Sequence, residues 1–140
     1  MRLNLDTYRT YAYDSVKHRL TRSQRESSGT DKAEYFYDDT NGRLTRMSYG
    51  NGAYAEYLYN ASGALTKVCN RAKNGYPGDY YAMADVSYWY DAAGNVTKMQ
   101  RDDGGDGYYT PEPIGGVATY QYDSLHRLTY EYFTAPSYSP

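Results

Sequence analysis

Tyr88-Trp89-Tyr90-Asp91-Ala92-Ala93-Gly94-Asn95-Val96-Thr97 is the clearest copy of a short unit that recurs five times in this 140-residue chain. It holds two tyrosines one residue apart, an Asx residue, a small glycine-bearing turn, and an aliphatic residue followed by threonine. The same order returns in Tyr11-Ala12-Tyr13-Asp14 with Arg19-Leu20-Thr21, and in Tyr35-Phe36-Tyr37-Asp38 with Gly42-Arg43-Leu44-Thr45. It returns again in Tyr57-Leu58-Tyr59-Asn60 with Gly63 and Leu65-Thr66, and in Tyr120-Gln121-Tyr122-Asp123 with Arg127-Leu128-Thr129. The second tyrosines fall at 13, 37, 59, 90 and 122, giving steps of 24, 22, 31 and 32 residues. Self-similarity at such a period is the signature of a repeat architecture.

Each unit contains a strand, a turn and a returning strand. Tyrosines and threonines in alternation favour the pleated, half-buried surface of a sheet. The repeated Asx residue accepts hydrogen bonds from backbone two residues on, and the following glycine accepts the left-handed conformation. The Asx residues Asp14, Asp38, Asn60, Asp91 and Asp123 are therefore expected first as turn residues, and no partner carboxylate or histidine accompanies them at fixed spacing as acid–base chemistry would need. Gly50-Asn51-Gly52 lies between the alternating runs 43–49 and 53–59. An Asn-Gly pair there predicts a tight hairpin with positive φ at both turn residues, so consecutive units should be antiparallel neighbours.

Read at period two, 33-35-37, 55-57-59, 86-88-90 and 118-120-122 place a small residue and two tyrosines on one face four times. Like residues on one face predict tyrosine ladders across the sheet. The opposite face varies, with Glu34 and Phe36, Glu56 and Leu58, Ser87 and Trp89, Thr119 and Gln121. On the returning strands the apolar residues are offset by three, as in Leu44 and Met47 or Val96 and Met99. That offset predicts either two partly apolar faces or an intervening bulge. Five units of two strands predict an all-β fold of tandem antiparallel hairpins, about ten short strands forming one curled sheet.

The unit Tyr-x-Tyr-Asp-x-x-Gly-Arg-Leu-Thr resembles the YD repeat of Rhs (rearrangement hotspot) proteins, a pattern shared with toxin-complex C subunits, wall-associated WapA-like proteins and teneurins. Five copies cover roughly residues 11 to 133. The departures are Asn60 for the aspartate, Ala64 and Asn95 for the arginine, and His18 and His126 where glycine is usual. The resemblance implies a partial Rhs-type shell, since many more such repeats wind into a hollow β-shell around a C-terminal toxin domain. A fragment of such a toxin-encapsulating shell is accordingly one expectation. The repeats are expected at about 11–29, 35–52, 57–75, 88–107 and 120–133 within a single domain of residues 1–140, with 134–140 as a tail.

Composition bounds the function. The chain holds 21 Tyr but only 2 Phe and 1 Trp, so most of its apolar area comes from side chains with a polar tip. A net charge of -2 gives no electrostatic footprint for nucleic acid or an anionic membrane. No segment approaches the ~18 apolar residues of a membrane helix, and Met1-Arg2-Leu3-Asn4-Leu5-Asp6 lacks the core of a signal peptide. The expectation is no membrane insertion, a secreted or cell-surface location, and export by another route or as part of a longer precursor. Cys69, the single cysteine, is expected as a small strand residue rather than a reactive thiol.

Remaining signals are weak. Residues 1–10 suit an edge strand or an arm, the strand at 19–26 reads as charged and exposed, and 27–31 and 72–79 read as loops. Asp102, Asp103 and Asp106 in the glycine-rich stretch 101–107 are a weak candidate for a calcium site, but their spacing does not match an EF-hand loop. No phosphate-binding loop, nucleophile elbow or His-Glu-x-x-His occurs. No cofactor and no enzymatic activity are expected. The primary expectation is a structural, interacting β-scaffold that associates through its sheet edges with itself, as oligomer or filament, or with a larger Rhs-like protein. The alternative is a carbohydrate or cell-surface ligand module stacking on Phe36 and Trp89. The structural positions are Tyr11, Tyr13, Asp14, Tyr35, Tyr37, Asp38, Tyr57, Tyr59, Asn60, Tyr88, Tyr90, Asp91, Tyr120, Tyr122 and Asp123.

Overall fold

A computed structural model describes residues 9–25, 31–73, 80–102 and 115–135. Every regular element in them is a β-strand: β1 (Arg9–Tyr13), β2 (Leu20–Arg25), β3 (Lys32–Tyr37), β4 (Leu44–Tyr49), β5 (Tyr54–Tyr59), β6 (Leu65–Lys73), β7 (Tyr80–Tyr90), β8 (Val96–Asp102), β9 (Val117–Tyr122) and β10 (Leu128–Thr134). The chain divides into two compact units, Met1–Ala55 and Glu56–Pro140, with the division inside β5. In the first unit β1, β2, β3 and β4 pair antiparallel in chain order. The second unit repeats the pattern from β6 through β10. The all-β hairpin fold is thus as the alternation requires.

The turns follow from the Asx residue and what comes after it. In the third to fifth hairpins the loop has three residues, closed by Asn60 N–H to Ala64 C=O, Asp91 N–H to Asn95 C=O and Asp123 N–H to Arg127 C=O, each at 3.0 Å. The third loop position is left-handed: Gly63 at φ 91, Gly94 at φ 89 and His126 at φ 60. The first two hairpins have one loop residue more, and there the left-handed position falls to His18 at φ 53 and Gly42 at φ 74. Histidine in place of glycine is thus a strained substitution at one backbone conformation.

A bulge sits beside each Asx turn whose strand register is described. Tyr37 faces Leu44 while Phe36 faces Arg46, so Thr45 is the extra residue. Thr21, Thr97 and Thr129 are skipped in the same way. Thr21, Thr45 and Thr129 each donate the hydroxyl back to a carbonyl on the partner strand, Ala12, Phe36 and Gln121, at 3.1 Å. The bulge answers the offset of three. With Thr45 set aside, Leu44 and Met47 face Tyr37 and Tyr35 and share the tyrosine face, as Val96 and Met99 do with Tyr90 and Tyr88.

That face carries most of the core, which consists of small residues, while buried Cys69 lies on the opposite face. Ala55 is 2% and Ala118 3% exposed, Ala33 and Ser23 are buried opposite one another, and no large side chain among the described residues is fully buried. Several sequence expectations are corrected. Ala72 and Lys73 continue β6, Arg101 and Asp102 end β8, and Thr134 belongs to β10 rather than to a tail. Local loop composition was overridden by pairing with the neighbouring strand. The strand after the first turn is not uniformly exposed, since β2 buries Ser23. In the Gly50-Asn51-Gly52 hairpin only Gly52 has positive φ, 87, because the loop has three residues and Asn51 instead caps Ala53 N–H through Oδ1 at 3.0 Å. The expected N-terminal arm up to residue 8, the loop segments 27–30 and 74–79, and tail residues 136–140 lie outside the described residues.

Candidate functional site

The recurring polar chemistry lies at the turns and at the seams between hairpins. At the turns each Asx side chain is spent on backbone. Asp38 Oδ1 accepts from Thr40 N–H at 2.6 Å, Asn60 Oδ1 from Ala64 N–H at 2.9 Å, and Asp91 Oδ1 from Ala93 and Asn95 N–H, each at 2.9 Å. Asp14 and Asp123 do likewise and also bind the Nε of Arg19 and Arg127. Bonds that stabilise the charged form lower a carboxyl pKa. Asp14, Asp38 and Asp123 are held below the ordinary carboxylate value chiefly by the N–H groups of Lys17, Thr40 and Arg127, and Asp91 chiefly by the Asn95 amide. Carboxylates ionised this firmly are poor general acids or bases near neutrality.

At the seams the second tyrosine crosses to the preceding hairpin. Tyr37 Oη donates to the Leu20 carbonyl at 2.9 Å, Tyr90 Oη to Leu65 at 2.6 Å and Tyr122 Oη to Val96 at 2.9 Å. The acceptor is each time the aliphatic residue that opens the returning strand, just before the threonine. Burial raises the Tyr90 pKa, as expected for a phenol under packed rings. Alternation placed these tyrosines on one face; their donor role depends on the neighbouring hairpin and was not read from sequence. Arg19 adds a stacking contact in the first unit, its guanidinium 4.6 Å from the Tyr37 ring centre.

Among the described residues the outermost strands, β1 and β10, lack this cover. Tyr11 and Tyr13 on β1 are 57% and 61% exposed, and on β10 Leu128 is 53% and Phe133 61% exposed. The first tyrosines Tyr35, Tyr57, Tyr88 and Tyr120 and the second tyrosine Tyr59 are half-buried in their strands. On the variable face Phe36 and Trp89 are both exposed, and the Lys98 ammonium lies 4.2 Å from the Trp89 ring centre.

One charged cluster escaped the sequence reading. Asp85 on β7 faces Cys69 on β6, and binds Lys67 Nζ at 2.7 Å and both guanidinium nitrogens of Arg71. Burial alone would raise the Asp85 pKa, but the bonds from Arg71 and Lys67 hold it below its ordinary value. Burial, followed by the Asp85 charge, pushes the Cys69 thiol up, which makes it a poor nucleophile. The spacing Lys67, Cys69, Arg71 was the available signal, because alternate strand residues share a face. Of the calcium candidates, Asp102 ends β8 opposite Asp85, while Asp103 and Asp106 lie outside the described residues. No cluster of three metal-ligating side chains occurs among the described residues, and no helix in them is long and apolar enough to cross a membrane.

No family model matches the chain. It is 28% identical over 88 residues to "Toxin subunit YenC2" of Yersinia entomophaga, a match covering 62% of this chain and 9% of that protein. It also superposes on a chain of the solved structure titled "Crystal Structure of TcdB2-TccC3-Cdc42" with a TM-score of 0.66 and 27% identity, covering 87% of this chain and 6% of that one. The chain therefore spans less than a tenth of either relative's length. Together the two similarities support a relation to the Rhs/YD-repeat proteins of toxin complexes.

Proposed function

We propose that this Rhs/YD-repeat-related chain is a non-enzymatic structural scaffold of a toxin complex, acting outside the cell and joining other Rhs-like chains, its own copies or a larger shell, through its sheet edges. The observation that carries it is the contrast between seams and edges. At the β2–β3, β6–β7 and β8–β9 seams a tyrosine hydroxyl is spent on the neighbouring hairpin, whereas β1 and β10 present the same residue types to solvent. Exposed edges rich in aromatic residues are templates for further strands. The polar groups at turns and seams support the same conclusion, because the turn carboxylates, Thr21, Thr45, Thr66 and Thr129, and Tyr37, Tyr90 and Tyr122 all bond to backbone.

Solution mass tests the proposal. Sedimentation should give species heavier than 16.0 kDa as concentration rises, or a stable complex when a longer Rhs-type chain is added. A persistent monomer in both experiments would exclude edge association.

A second reading, a carbohydrate-binding face, is favoured by the exposure of Phe36 and Trp89, since exposed aromatic rings stack on apolar sugar faces. Glycan retention should then drop in Trp89→Ala; unchanged retention removes the site.

A further inference from the structure

Three seams, β2–β3, β6–β7 and β8–β9, share one register. The residue two places after the aliphatic faces the residue three places before the second tyrosine: Arg22 with Glu34, Lys67 with Ser87, Lys98 with Thr119. One step further along, Ser23 meets Ala33, Val68 meets Val86 and Met99 meets Ala118. Each of these seams also carries the tyrosine-to-carbonyl bond.

The terminal strands hold the two halves of one more such seam. β1 ends in Tyr13, the donor, and among the described residues it pairs only with β2. β10 begins with Leu128, whose carbonyl is the matching acceptor, and it pairs only with β9 among those residues. Transferring the common register sets Tyr130 opposite Thr10 and Glu131 opposite Arg9. The last pair unites opposite charges on the tyrosine face, where directly opposed charges of unlike sign stabilise a strand pair. Arg9 already lies 3.5 Å from Asp31, but both side chains are nearly half exposed, and such a contact is weak enough to be shared.

The geometry points to a head-to-tail seam between copies of this chain: β10 of one copy takes β1 of the next antiparallel, Tyr13 donating to the Leu128 carbonyl and Arg9 facing Glu131. The seam presupposes the edge association proposed above and adds its polarity, its register and its occupant. A second copy is the occupant because β1 itself supplies the donor, the spacing and the charge that β10 requires. The two surfaces differ, so the contact is heterologous and adds copies in series.

Sedimentation velocity on the full chain tests the seam over a wide concentration range. The unmodified chain should form a ladder of multiples. Arg9→Glu and Glu131→Arg should each weaken association about tenfold or more through like-charge opposition. An equimolar mixture of the two should restore it, because each variant then presents the complement of the other; restoration also shows that both fold. Tyr13→Phe, which removes one hydroxyl, should weaken association roughly two- to tenfold. Association that ignores all three substitutions overturns the seam while leaving edge pairing standing, and singles that weaken without recovery on mixing overturn the Arg9–Glu131 register. A monomeric parent chain overturns the seam outright, and joining a longer Rhs-type chain then remains the separate test of the scaffold.

Discussion

Strands β8 and β10 occupy the same place in successive hairpins, yet they meet opposite environments. Val96 through Gln100 of β8 are half-buried, whereas all 7 residues of β10 are exposed. Composition predicts the reverse, since β10 carries Leu128, Tyr130, Tyr132 and Phe133 where β8 carries Lys98, Gln100 and Arg101. The difference is the next hairpin. β9 covers β8 and sends Tyr122 to its first carbonyl, while β10 has no such cover among the described residues. Burial in this architecture is conferred by a neighbour, as expected when each repeat cannot bury its own face.

The largest test of that contrast is steric. Ala118 is 3% exposed, so Ala118→Leu should overpack the β8–β9 seam and cost about 1–3 kcal/mol. Tyr132→Ala on β10 should stay within roughly 0.5 kcal/mol, as a surface change. Urea unfolding of the two variants at monomer-favouring dilution compares them, and equal losses would erase the distinction between covered and open strands.

A smaller effect isolates the seam bond. Tyr122→Phe should cost about 0.5–1.5 kcal/mol, because a carbonyl in a packed seam loses its donor. Tyr13→Phe should leave the stability of the isolated chain unchanged. A like cost at both positions would mean that Tyr13 is already bonded within its own molecule.

The smallest effect is expected from the turns, which differ in one titratable atom. Asp14, Asp38, Asp91 and Asp123 are all held below the ordinary carboxylate value by the hydrogen bonds they accept. A carboxyl whose folded pKa is depressed contributes stability that is complete above its unfolded value and is lost as pH falls through the folded one. Stability should therefore be flat near neutrality and decline below about pH 4. Asn60 supplies the same Oδ1 acceptor without titrating, so Asp91→Asn should fold and lose part of its acid sensitivity. Unfolding midpoints at pH 3 and pH 7 give the comparison, and an unaltered acid slope would assign the decline to other groups.

The hairpins and their turns were legible because their causes are local. Asp91 and Gly94 sit three residues apart and close one loop by themselves. The offset between Leu44 and Met47 already implied a bulge as one of two solutions, and Thr45, whose hydroxyl reaches the Phe36 carbonyl, was the residue that took it. The Lys67–Asp85–Arg71 cluster was half legible: β6 displays the two cations on one face, but their carboxylate comes from the far strand of the ladder. The strand ends at Lys73 and Thr134 are not legible in the sequence, since pairing partners extend them beyond their loop-like composition.

What the amino-acid order determined alone is the hairpin and its repetition, since turn chemistry and alternation act over a few residues. What only the tertiary structure decided is which groups become shielded and bonded. The Tyr37, Tyr90 and Tyr122 hydroxyls find carbonyls 17, 25 and 26 residues away, on strands that only sheet formation brings beside them. Identical tyrosines are therefore a seam inside the molecule and an open edge at its margins, because hydrogen bonding and exclusion of water require a neighbour that no single repeat contains.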